Sequence, residues 1–207
     1  MKVLLINGSP HAAGCTFTAL GEVASQLGKH GIETRILHIG NKPVQDCTAC
    51  GACAKSGYCV FKGDSVNECI DLLKDSDGLV VGSPVYFAGP SGQITSFLDR
   101  MFFMKSGAYA NKPAAAVVSC RRGGASASFD RLNKYFTIAR MPVVSSQYWN
   151  SVHGNTPDEV RQDLEGVQTM RTLGDNMAWM LASIAAGRSA GVPLPAPEKR
   201  LQTNFIR

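Results

Sequence analysis

Short apolar runs alternate along this chain with longer segments in which apolar residues recur every three or four positions. The short runs predict strands and the longer segments predict amphipathic helices. Predicted strands cover 2–6, 32–39, 78–81, 113–119 and 142–145, and predicted helices cover about 16–29, 64–74, 91–101, 126–139 and 157–186. This alternation predicts the α/β class: a doubly wound five-stranded parallel sheet of order 2-1-3-4-5, in three α/β/α layers.

The loops that follow three of these strands stand out by their composition. They are Gly8–Thr16, Ser83–Gly89 and Ser119–Gly124. Right-handed crossovers place the carboxyl ends of parallel strands at one edge of the sheet, and ligands bind where the strand order reverses. The sequence therefore predicts one ligand site built from these three loops.

The first of these loops, Gly8–Thr16, consists mainly of small and hydroxyl residues and leads into a predicted helix. Its backbone N–H groups, its hydroxyls and the positive end of the helix dipole suit a phosphate. It lacks the Gly-Lys-Ser/Thr sequence of a Walker A loop, and the nearby cation is His11, which favours a phosphate monoester over a triphosphate. An ordinary strand-to-helix turn is the alternative.

The second and third loops carry groups that suit a planar heterocycle. Tyr86 and Phe87 follow a buried strand, where backbone amides can bind the edge of a ring and an aromatic side chain can flank its face. Core packing is the alternative for this aromatic pair. In the third loop, Arg121 and Arg122 suit an electron-rich ring or a nicotinamide phosphate, and two solvated arginines are an equal alternative.

Four of the seven cysteines, Cys47, Cys50, Cys53 and Cys59, lie close together in the sequence. Their spacing, C-x2-C-x2-C-x5-C, lets four thiolates converge on one centre, as a [4Fe-4S] cluster requires, but it differs from the bacterial ferredoxin run. Zinc is a second interpretation, although zinc sites more often use two C-x2-C pairs separated by a longer stretch. A loop of ligand-free thiols is the third.

Composition argues against several classes of function. With 207 residues, 44% hydrophobic and 18% charged, the chain suits one α/β domain, and its apolar runs are too short to span a bilayer. The net charge of +5 comes from scattered lysines and arginines, so neither nucleic acid nor a membrane is an expected partner. The N-terminus does not resemble a signal peptide and the number of cysteines is odd, so we expect a cytoplasmic location.

We expect one domain over residues 1–186, with a cysteine-rich insertion at 41–63 and a C-terminal arm or tail at 187–207. No pairing of a nucleophile with a base is apparent in the sequence, and the four histidines lie apart from one another. We therefore nominate no catalytic residue. That pattern is typical of proteins in which a cofactor carries the reaction and the chain binds and orients it.

Two groups of motifs together resemble the flavodoxin-like NADPH-dependent FMN reductase superfamily. They are Gly8-Ser9-Pro10 with Gly14-Cys15-Thr16, and Ser83-Pro84-Val85-Tyr86-Phe87 with Ser91-Gly92-Gln93 and Phe97-Leu98-Asp99-Arg100. The resemblance covers about residues 1–125, and the cysteine spacing resembles the iron–sulfur flavoprotein branch. It implies a flavodoxin-like fold and non-covalently bound FMN near a subunit interface, in a homodimer or homotetramer.

Carried over by motif, the resemblance implies three groups of FMN-binding residues. The phosphate would be held by Ser9, His11, Cys15, Thr16 and Phe17, the isoalloxazine would contact Pro84, Val85, Tyr86 and Phe87, and its other edge would meet Ser119, Cys120, Arg121, Arg122, Gly123 and Gly124. Two positions depart from the family, which commonly has Arg at position 11 and Asn at position 15. His11 carries less charge at neutral pH and Cys15 offers no amide donor, so the phosphate would depend more on hydroxyls and backbone N–H groups.

These features predict an FMN-dependent oxidoreductase that takes hydride from NAD(P)H and reduces a quinone, an azo compound, a flavin or an iron–sulfur partner. The alternative is an electron-transfer iron–sulfur flavoprotein, which carries FMN and a [4Fe-4S] cluster and serves a redox partner protein without turning over a small molecule. A regulatory module that has lost FMN is a third interpretation, suggested by His11 and Cys15. A cluster would favour the carrier, and NAD(P)H oxidation would favour the enzyme.

Overall fold

The apolar runs of the sequence become the strands of one sheet in the structure, a computed structural model that describes residues 1–104, 106–199, 201, 203 and 205. Its strands are β1 (Lys2–Asn7), β2 (Glu33–His38), β3 (Gly78–Tyr86), β4 (Gly89–Pro90), β5 (Ala114–Cys120) and β6 (Ser151–His153). Its helices are α1 (Cys15–Lys29), α2 (Cys53–Ser56), α3 (Val66–Lys74), α4 (Gly92–Phe103), α5 (Ala125–Ile138), α6 (Pro157–Gln162) and α7 (Leu164–Ser189), with a 3-10 turn at Ser106–Tyr109.

The described strands pair in the order β2-β1-β3-β5-β6, all parallel, and β4 adds an antiparallel partner to β3. The predicted doubly wound α/β class is confirmed, and the short β4 shifts the later strand numbers by one. β1 and most of β3 are buried because helices cover both faces of the sheet. Helices α3, α4 and α5 pack on one face and α1 and α7 on the other, which gives the three predicted layers.

The strand predicted at 142–145 is misplaced. The segment makes only an isolated bridge to Ala114, with hydrogen bonds of 2.8 Å from the Ala114 N–H to the Pro142 carbonyl and from the Val144 N–H to the Ala114 carbonyl. The chain then turns away towards α7, where the Asn176 side chain donates a hydrogen bond to the Ser145 carbonyl at 2.8 Å. The sheet therefore takes its last described strand from β6, which pairs with the end of β5.

The long helix predicted at 157–186 is divided into α6 and α7. Asp163 ends α6 and caps α7 by accepting a hydrogen bond from the Gly166 N–H at 3.0 Å. Helix α7 continues to Ser189, and the proposed domain boundary near 186 stays a prediction.

Residues 200, 202, 204, 206 and 207 of the predicted arm lie outside the described residues. Among the helices of the described ranges, none has the length and apolar character needed to cross a bilayer.

Lys112 closes the C-terminal end of α3. Its ammonium group donates to the carbonyl oxygens of Leu73 (2.7 Å), Lys74 (2.7 Å) and Ser76 (2.5 Å). The last carbonyls of a helix have no partner within the helix, and a cation beside them interacts favourably with the helix dipole. Burial lowers the pKa of Lys112, because the ammonium group is partly removed from water. Lys112 thereby fixes the turn that leads from α3 into β3.

Replacing Lys112 with methionine is expected to lower the free energy of unfolding by about 1–3 kcal/mol, because three carbonyls lose a charged donor. Urea unfolding followed by circular dichroism measures the change. The matched control is Lys134→Met on the exposed face of α5, which should change stability by less than about 0.5 kcal/mol. Equal effects of the two substitutions would contradict the role given to Lys112.

A polar cluster joins α1 to α7. Asp175 accepts hydrogen bonds from Gln26 (2.7 Å) and from His30 (2.6 Å). These two bonds, that from Gln26 first, lower the pKa of Asp175 below its ordinary value of 3.8. A carboxyl group whose pKa is lowered in the folded state stabilises the protein at pH values above its ordinary pKa. This stability is lost as the pH falls through the pKa of the folded state.

We therefore expect Asp175→Asn to destabilise the protein near about pH 6 and to have a smaller effect near about pH 2, because the stability that the charge adds is lost as the pH falls from the ordinary pKa through the lowered pKa of the folded state. The Asp175 side chain is about half exposed, so solvent screening keeps the effect small. Urea unfolding of both proteins at the two pH values measures it. The same difference at both pH values would show that the charge of the carboxylate adds no stability.

Candidate functional site

Hydrogen bonds tie the first two predicted ligand loops together at the carboxyl edge of the sheet. The Gly8 N–H donates to the Gly82 carbonyl (2.9 Å), which joins the ends of β1 and β3. The Ser91 hydroxyl donates to the Gly8 carbonyl (2.9 Å), and the Ser91 N–H donates to the Ser83 hydroxyl (3.0 Å). Ser91 also caps α4 by accepting from the Ile94 N–H (3.3 Å). One serine thus fixes both loops to the start of α4.

Glycine is required where these loops touch. A Cβ on Gly8 would lie 2.7 Å from the Ile94 side chain and 2.8 Å from the Gly82 carbonyl oxygen. A Cβ on Gly124, in the third loop, would lie 2.6 Å from the Ala88 backbone, and Gly124 has a φ of +94°, in the left-handed region. Such separations are well inside van der Waals contact. The loops can approach this closely only because these two positions carry no side chain.

Asn7, the buried last residue of β1, shapes the first loop. Its side chain donates to the carbonyls of His11 (3.3 Å) and Ala12 (3.4 Å) and accepts from the Ser9 N–H (3.1 Å). Ser9 is also buried, and its hydroxyl accepts from the His11 N–H (3.1 Å) while its carbonyl lies 2.8 Å from His38 Nε2. Among the predicted phosphate residues, Ser9 therefore lies inside the loop and His11 lies exposed at its rim.

Thr16 and Ser119 connect the first loop to the third. Both hydroxyls are buried and lie 2.8 Å apart, so the structure brings these two predicted site residues into direct contact. The adjacent Cys15 thiol donates to the Gly154 carbonyl at 3.7 Å, and burial raises the pKa of Cys15. The thiol is therefore neutral at physiological pH. Phe17, in the first turn of α1, is more than a third exposed.

The N-terminus of α1 points N–H groups at the same edge. The residue before the helix is Gly14, which has no side chain to accept hydrogen bonds from the first turn. Helix α1 is 15 residues long, so its dipole adds positive potential there. First-turn N–H groups that no side chain caps are suited to an anion, as the sequence predicts for this loop.

The second loop is a hairpin, because β3 continues past its predicted end and turns back into β4. The two turn residues, Phe87 and Ala88, have φ values of +50° and +59°, as in a type I′ turn. The turn leaves Phe87 fully exposed and Tyr86 nearly half exposed. Pro84 and Val85 are partly buried where the hairpin leaves the sheet. The hairpin thus presents two aromatic rings at the ligand edge.

The third loop combines a buried thiol with exposed cations. Cys120 is buried at the end of β5, its thiol donates to the Arg122 carbonyl at 3.3 Å, and burial raises the pKa of this thiol. Arg121, Arg122 and Gly123 are exposed, whereas Gly124 packs under the hairpin. The predicted cofactor-binding residues therefore all lie at one edge of the sheet, in its loops, its strand ends and the first turn of α1.

The cysteine-rich segment, residues 41–63, runs beside α4. The four predicted metal ligands line one small cavity, whose walls are Cys47, Cys50, Cys53, Cys59, Thr48, Gly51, Val60, Phe61, Arg100 and Phe103. Burial raises the pKa of the Cys53 thiol, and negative charge on the other three cysteines raises it further. The structure thus brings together the four thiols that the spacing singles out.

One face of α4 anchors this segment. The Gln93 amide donates to the Gly40 carbonyl at 2.9 Å, and one turn later the Ser96 hydroxyl donates to the Asp46 carboxylate. The segment is bounded by Gly40 and Gly63, whose φ values of +86° and +94° both lie in the left-handed region. These glycines let the chain turn sharply away from the sheet and back to it.

Arg100, one turn further along α4, is buried beneath the cysteines with 1% of its surface exposed. Its guanidinium pairs with the Asp64 carboxylate and donates to the carbonyls of Gln45 (3.2 Å) and Phe61 (3.3 Å). Its Nε–H donates to the Cys59 sulfur at 3.2 Å. Burial by itself lowers the pKa of Arg100, whereas the hydrogen bonds to Asp64 and Cys59 raise it. The net effect is a raised pKa. The guanidinium therefore stays charged.

Asn67 of α3 holds Cys59 from a second side. Its side chain accepts from the Cys59 N–H at 2.8 Å and donates to the Cys59 carbonyl at 3.0 Å. The backbone of this cysteine is thus fixed by α3, and its sulfur is contacted from α4. Cys69, also on α3, is fully buried in the core, as predicted.

Sequence reasoning missed several side chains that organise the site. Asn7 is a polar residue that ends the largely apolar strand β1 at the ligand edge, and that position is the signal that could have found it. His38 ends β2 at the same edge, but β2 is mostly polar, so the signal there is weaker. Arg100 interrupts the apolar stripe of α4 at a buried position, which is a second usable signal. Asn67 gives no such signal, because it lies among other polar residues of α3.

Within the ranges that the structure describes, no group of three or more His, Cys, Asp or Glu side chains is arranged to hold a single metal ion. A [4Fe-4S] cluster makes a different demand, because each thiolate binds a different iron. Four thiols spread around one cavity suit that arrangement.

The sheet order and the switch-point loops define a flavodoxin-like fold, and the relatives of this chain show that it is a flavin-binding oxidoreductase. The family model of NADPH-dependent FMN reductases matches residues 1–156, and the chain belongs to this family. Relatives place it in the iron–sulfur flavoprotein branch. It is similar to an iron–sulfur flavoprotein of Methanocaldococcus jannaschii, with 33% identity over 186 residues that cover 86% of this chain and 96% of the relative. It is also similar to the iron–sulfur flavoprotein of Methanosarcina thermophila, with 29% identity over 192 residues that cover 91% and 99%.

Solved structures show the same fold at lower identity. RosB, in a complex with the intermediate 8-demethyl-8-formylriboflavin-5'-phosphate, aligns with a TM-score of 0.69 and 15% identity over 100% of this chain and 94% of that chain. A flavodoxin from the domain Archaea aligns with a TM-score of 0.57 and 14% identity over 88% of this chain and 99% of that chain. These likenesses support the architecture only.

Proposed function

We propose that this protein is an NAD(P)H-dependent oxidoreductase whose carboxyl-edge loops bind FMN, which supplies hydride chemistry that side chains lack. The electrons then pass to a small acceptor of the quinone, azo or flavin class. The observation that carries the proposal is the junction of the three loops at the switch point of the sheet. Gly8, Gly82 and Gly124 pack there at distances that no side chain would allow.

The residues present at this edge fit an FMN phosphate. The first-turn N–H groups of α1 and the exposed His11 surround the loop, while the Thr16 hydroxyl is already bonded to Ser119. The phosphate would therefore be bound mainly by backbone N–H groups, with the Thr16 N–H among them. The raised pKa of Cys15 keeps a negative charge away from the anion.

The hairpin and the third loop fit the isoalloxazine. Tyr86 and Phe87 are exposed at the edge and would flank the ring or the nicotinamide that approaches it. Arg121 and Arg122, exposed on the opposite loop, would stabilise negative charge on a reduced ring or bind the phosphate of the nicotinamide nucleotide.

A second candidate function, one-electron transfer as an iron–sulfur flavoprotein, is favoured by the cavity that the four cysteines line. These residues would hold a [4Fe-4S] cluster, and the relatives' names support that assignment. From Ser91 at the flavin loops to Arg100 at the cysteines, α4 rises only about 14 Å. One rigid helix would therefore hold both redox sites at a fixed separation, suited to electron transfer between them.

Anaerobic purification, followed by absorbance spectroscopy and assays of FMN, iron and sulfide, tests both functions. We expect flavin absorbance with about one FMN per chain and about four irons. A protein without flavin would overturn the main proposal, and flavin without iron would overturn only the cluster. Rapid mixing with NADH or NADPH then separates enzyme from carrier, since a carrier stays oxidised until a redox partner protein is added.

The assembly and location of the protein stay predictions. A homodimer or homotetramer is expected from the family, and sedimentation of the FMN-loaded protein would measure it. A cytoplasmic location is expected from the sequence.

A further inference from the structure

Cys59 differs in its surroundings from the other cysteines of the segment, because helices α3 and α4 both hold it. Asn67 binds its backbone N–H and carbonyl, at 2.8 and 3.0 Å. Arg100 donates to its sulfur, at 3.2 Å. Cys47, Cys50 and Cys53 belong to the turns and the short α2 of the insertion. The position of the Cys59 sulfur is therefore set by the core of the domain.

The guanidinium of Arg100 has no freedom to turn. Its five N–H donors are all engaged: four bind the Asp64 carboxylate and the carbonyls of Gln45 and Phe61, and the fifth, on Nε, binds the Cys59 sulfur. Burying an arginine costs free energy that pairing with one carboxylate offsets only in part. A buried, fully hydrogen-bonded cation aimed at a thiol is the arrangement that tunes a metal ligand from its outer shell.

We propose that Arg100 is a positioning residue that fixes the Cys59 thiolate and raises the reduction potential of the cluster. The proposal rests on the proposed [4Fe-4S] site. When such a cluster gains one electron from the flavin or a partner, the cluster and its four thiolates together become more negative by one charge. A hydrogen bond to a ligand sulfur stabilises the more negative state and so raises the potential. Asp64 offsets part of the guanidinium charge, so the directional N–H bond carries most of the effect.

The test uses the full chain, purified without oxygen, in two variants. Arg100→Met combined with Asp64→Asn removes the N–H donor without leaving a buried charge unpaired. Arg100→Lys keeps the positive charge and removes the guanidinium fork. The control is Arg35→Gln, which removes a charge from an exposed pair with Glu68. Iron, sulfide and FMN contents are measured first, and the cluster is then titrated with a reductant and followed by electron paramagnetic resonance.

We expect the Arg100→Met/Asp64→Asn variant to shift the reduction equilibrium at least tenfold towards the oxidised cluster, which is about 59 mV for one electron. Arg100→Lys should shift it in the same direction, and Arg35→Gln should shift it much less. A cluster retained in both variants at the wild-type potential would overturn the proposal. So would variants that fold and bind FMN but hold no iron, since Arg100 would then only support the loop. A wild-type protein without iron would instead refute the cluster itself.

Discussion

Alanine in place of Gly8 is expected to lower the stability of the protein and to remove most of its FMN. The new Cβ would meet Ile94 at 2.7 Å on one side and the Gly82 carbonyl oxygen at 2.8 Å on the other. Relief requires β1 and β3 to part at the loop junction that Ser91 also binds. Overpacking of this kind costs about 3 kcal/mol, or about 6–12 °C in Tm for a chain of this size. Thermal unfolding and the ratio of FMN to protein after gel filtration measure the two effects.

Gly21 provides the matched control for this substitution. It lies inside α1, and a Cβ there would meet nothing within 4 Å. Alanine is favoured over glycine in a helix by about 1 kcal/mol, so Gly21→Ala should keep full FMN content and an equal or higher Tm. If Gly8→Ala kept the Tm and FMN content of the wild type, the close packing of the first two loops would be refuted.

Serine in place of Cys53 should remove the iron and sulfide and leave FMN bound. A [4Fe-4S] cluster needs four thiolates, and Cys53 shares its cavity with the other three cysteines. The flavin loops extend from β1, β3 and β5, so they do not depend on the cysteine-rich segment for their shape. We expect iron to fall from about four per chain to below about one. Metal analysis and the absorbance spectrum, both taken without oxygen, measure the change.

Cys69→Ala is the control for this loss. Cys69 is buried in the core outside the segment, and its substitution should cost some stability but no iron. Full iron content in the Cys53→Ser protein would show that the four thiols are not the ligands. Loss of FMN together with iron would show that the segment supports the flavin site, contrary to the separation described above.

Local sequence patterns predicted the elements that build the flavin edge. The start of α4 is fixed by the Ser91 hydroxyl, which accepts a hydrogen bond from the N–H of Ile94 three residues later, and α1 lies within one residue of its predicted span. Such features depend on neighbours in the chain and are therefore visible in the sequence. The prediction misplaces the last strand because the turn of the chain after Val144 depends on α7, whose Asn176 binds the Ser145 carbonyl from 31 residues away.

The contacts that complete the two sites join residues that are distant in the sequence. Thr16 meets Ser119, 103 residues away, and Arg100 meets Cys59, 41 residues away. The family resemblance marks Thr16 and Ser119 as candidates and the cysteine spacing marks Cys59, yet nothing local shows that the hydroxyls of Thr16 and Ser119 bind each other. Nothing local shows, either, that the Cys59 sulfur accepts a hydrogen bond from the Arg100 guanidinium. Only the packing of the helices on the sheet defines these pairs.

The way in which the cysteine-rich segment is attached to the domain bears on how proteins of this fold can evolve. The segment leaves and rejoins the domain at two left-handed glycines, Gly40 and Gly63, and α4 holds it through side chains on one face, Gln93 and Ser96 among them. Strand order and flavin loops do not pass through it. A local insertion or deletion can therefore add, remove or exchange this segment without rebuilding the strand order or the loops at the carboxyl edge of the sheet.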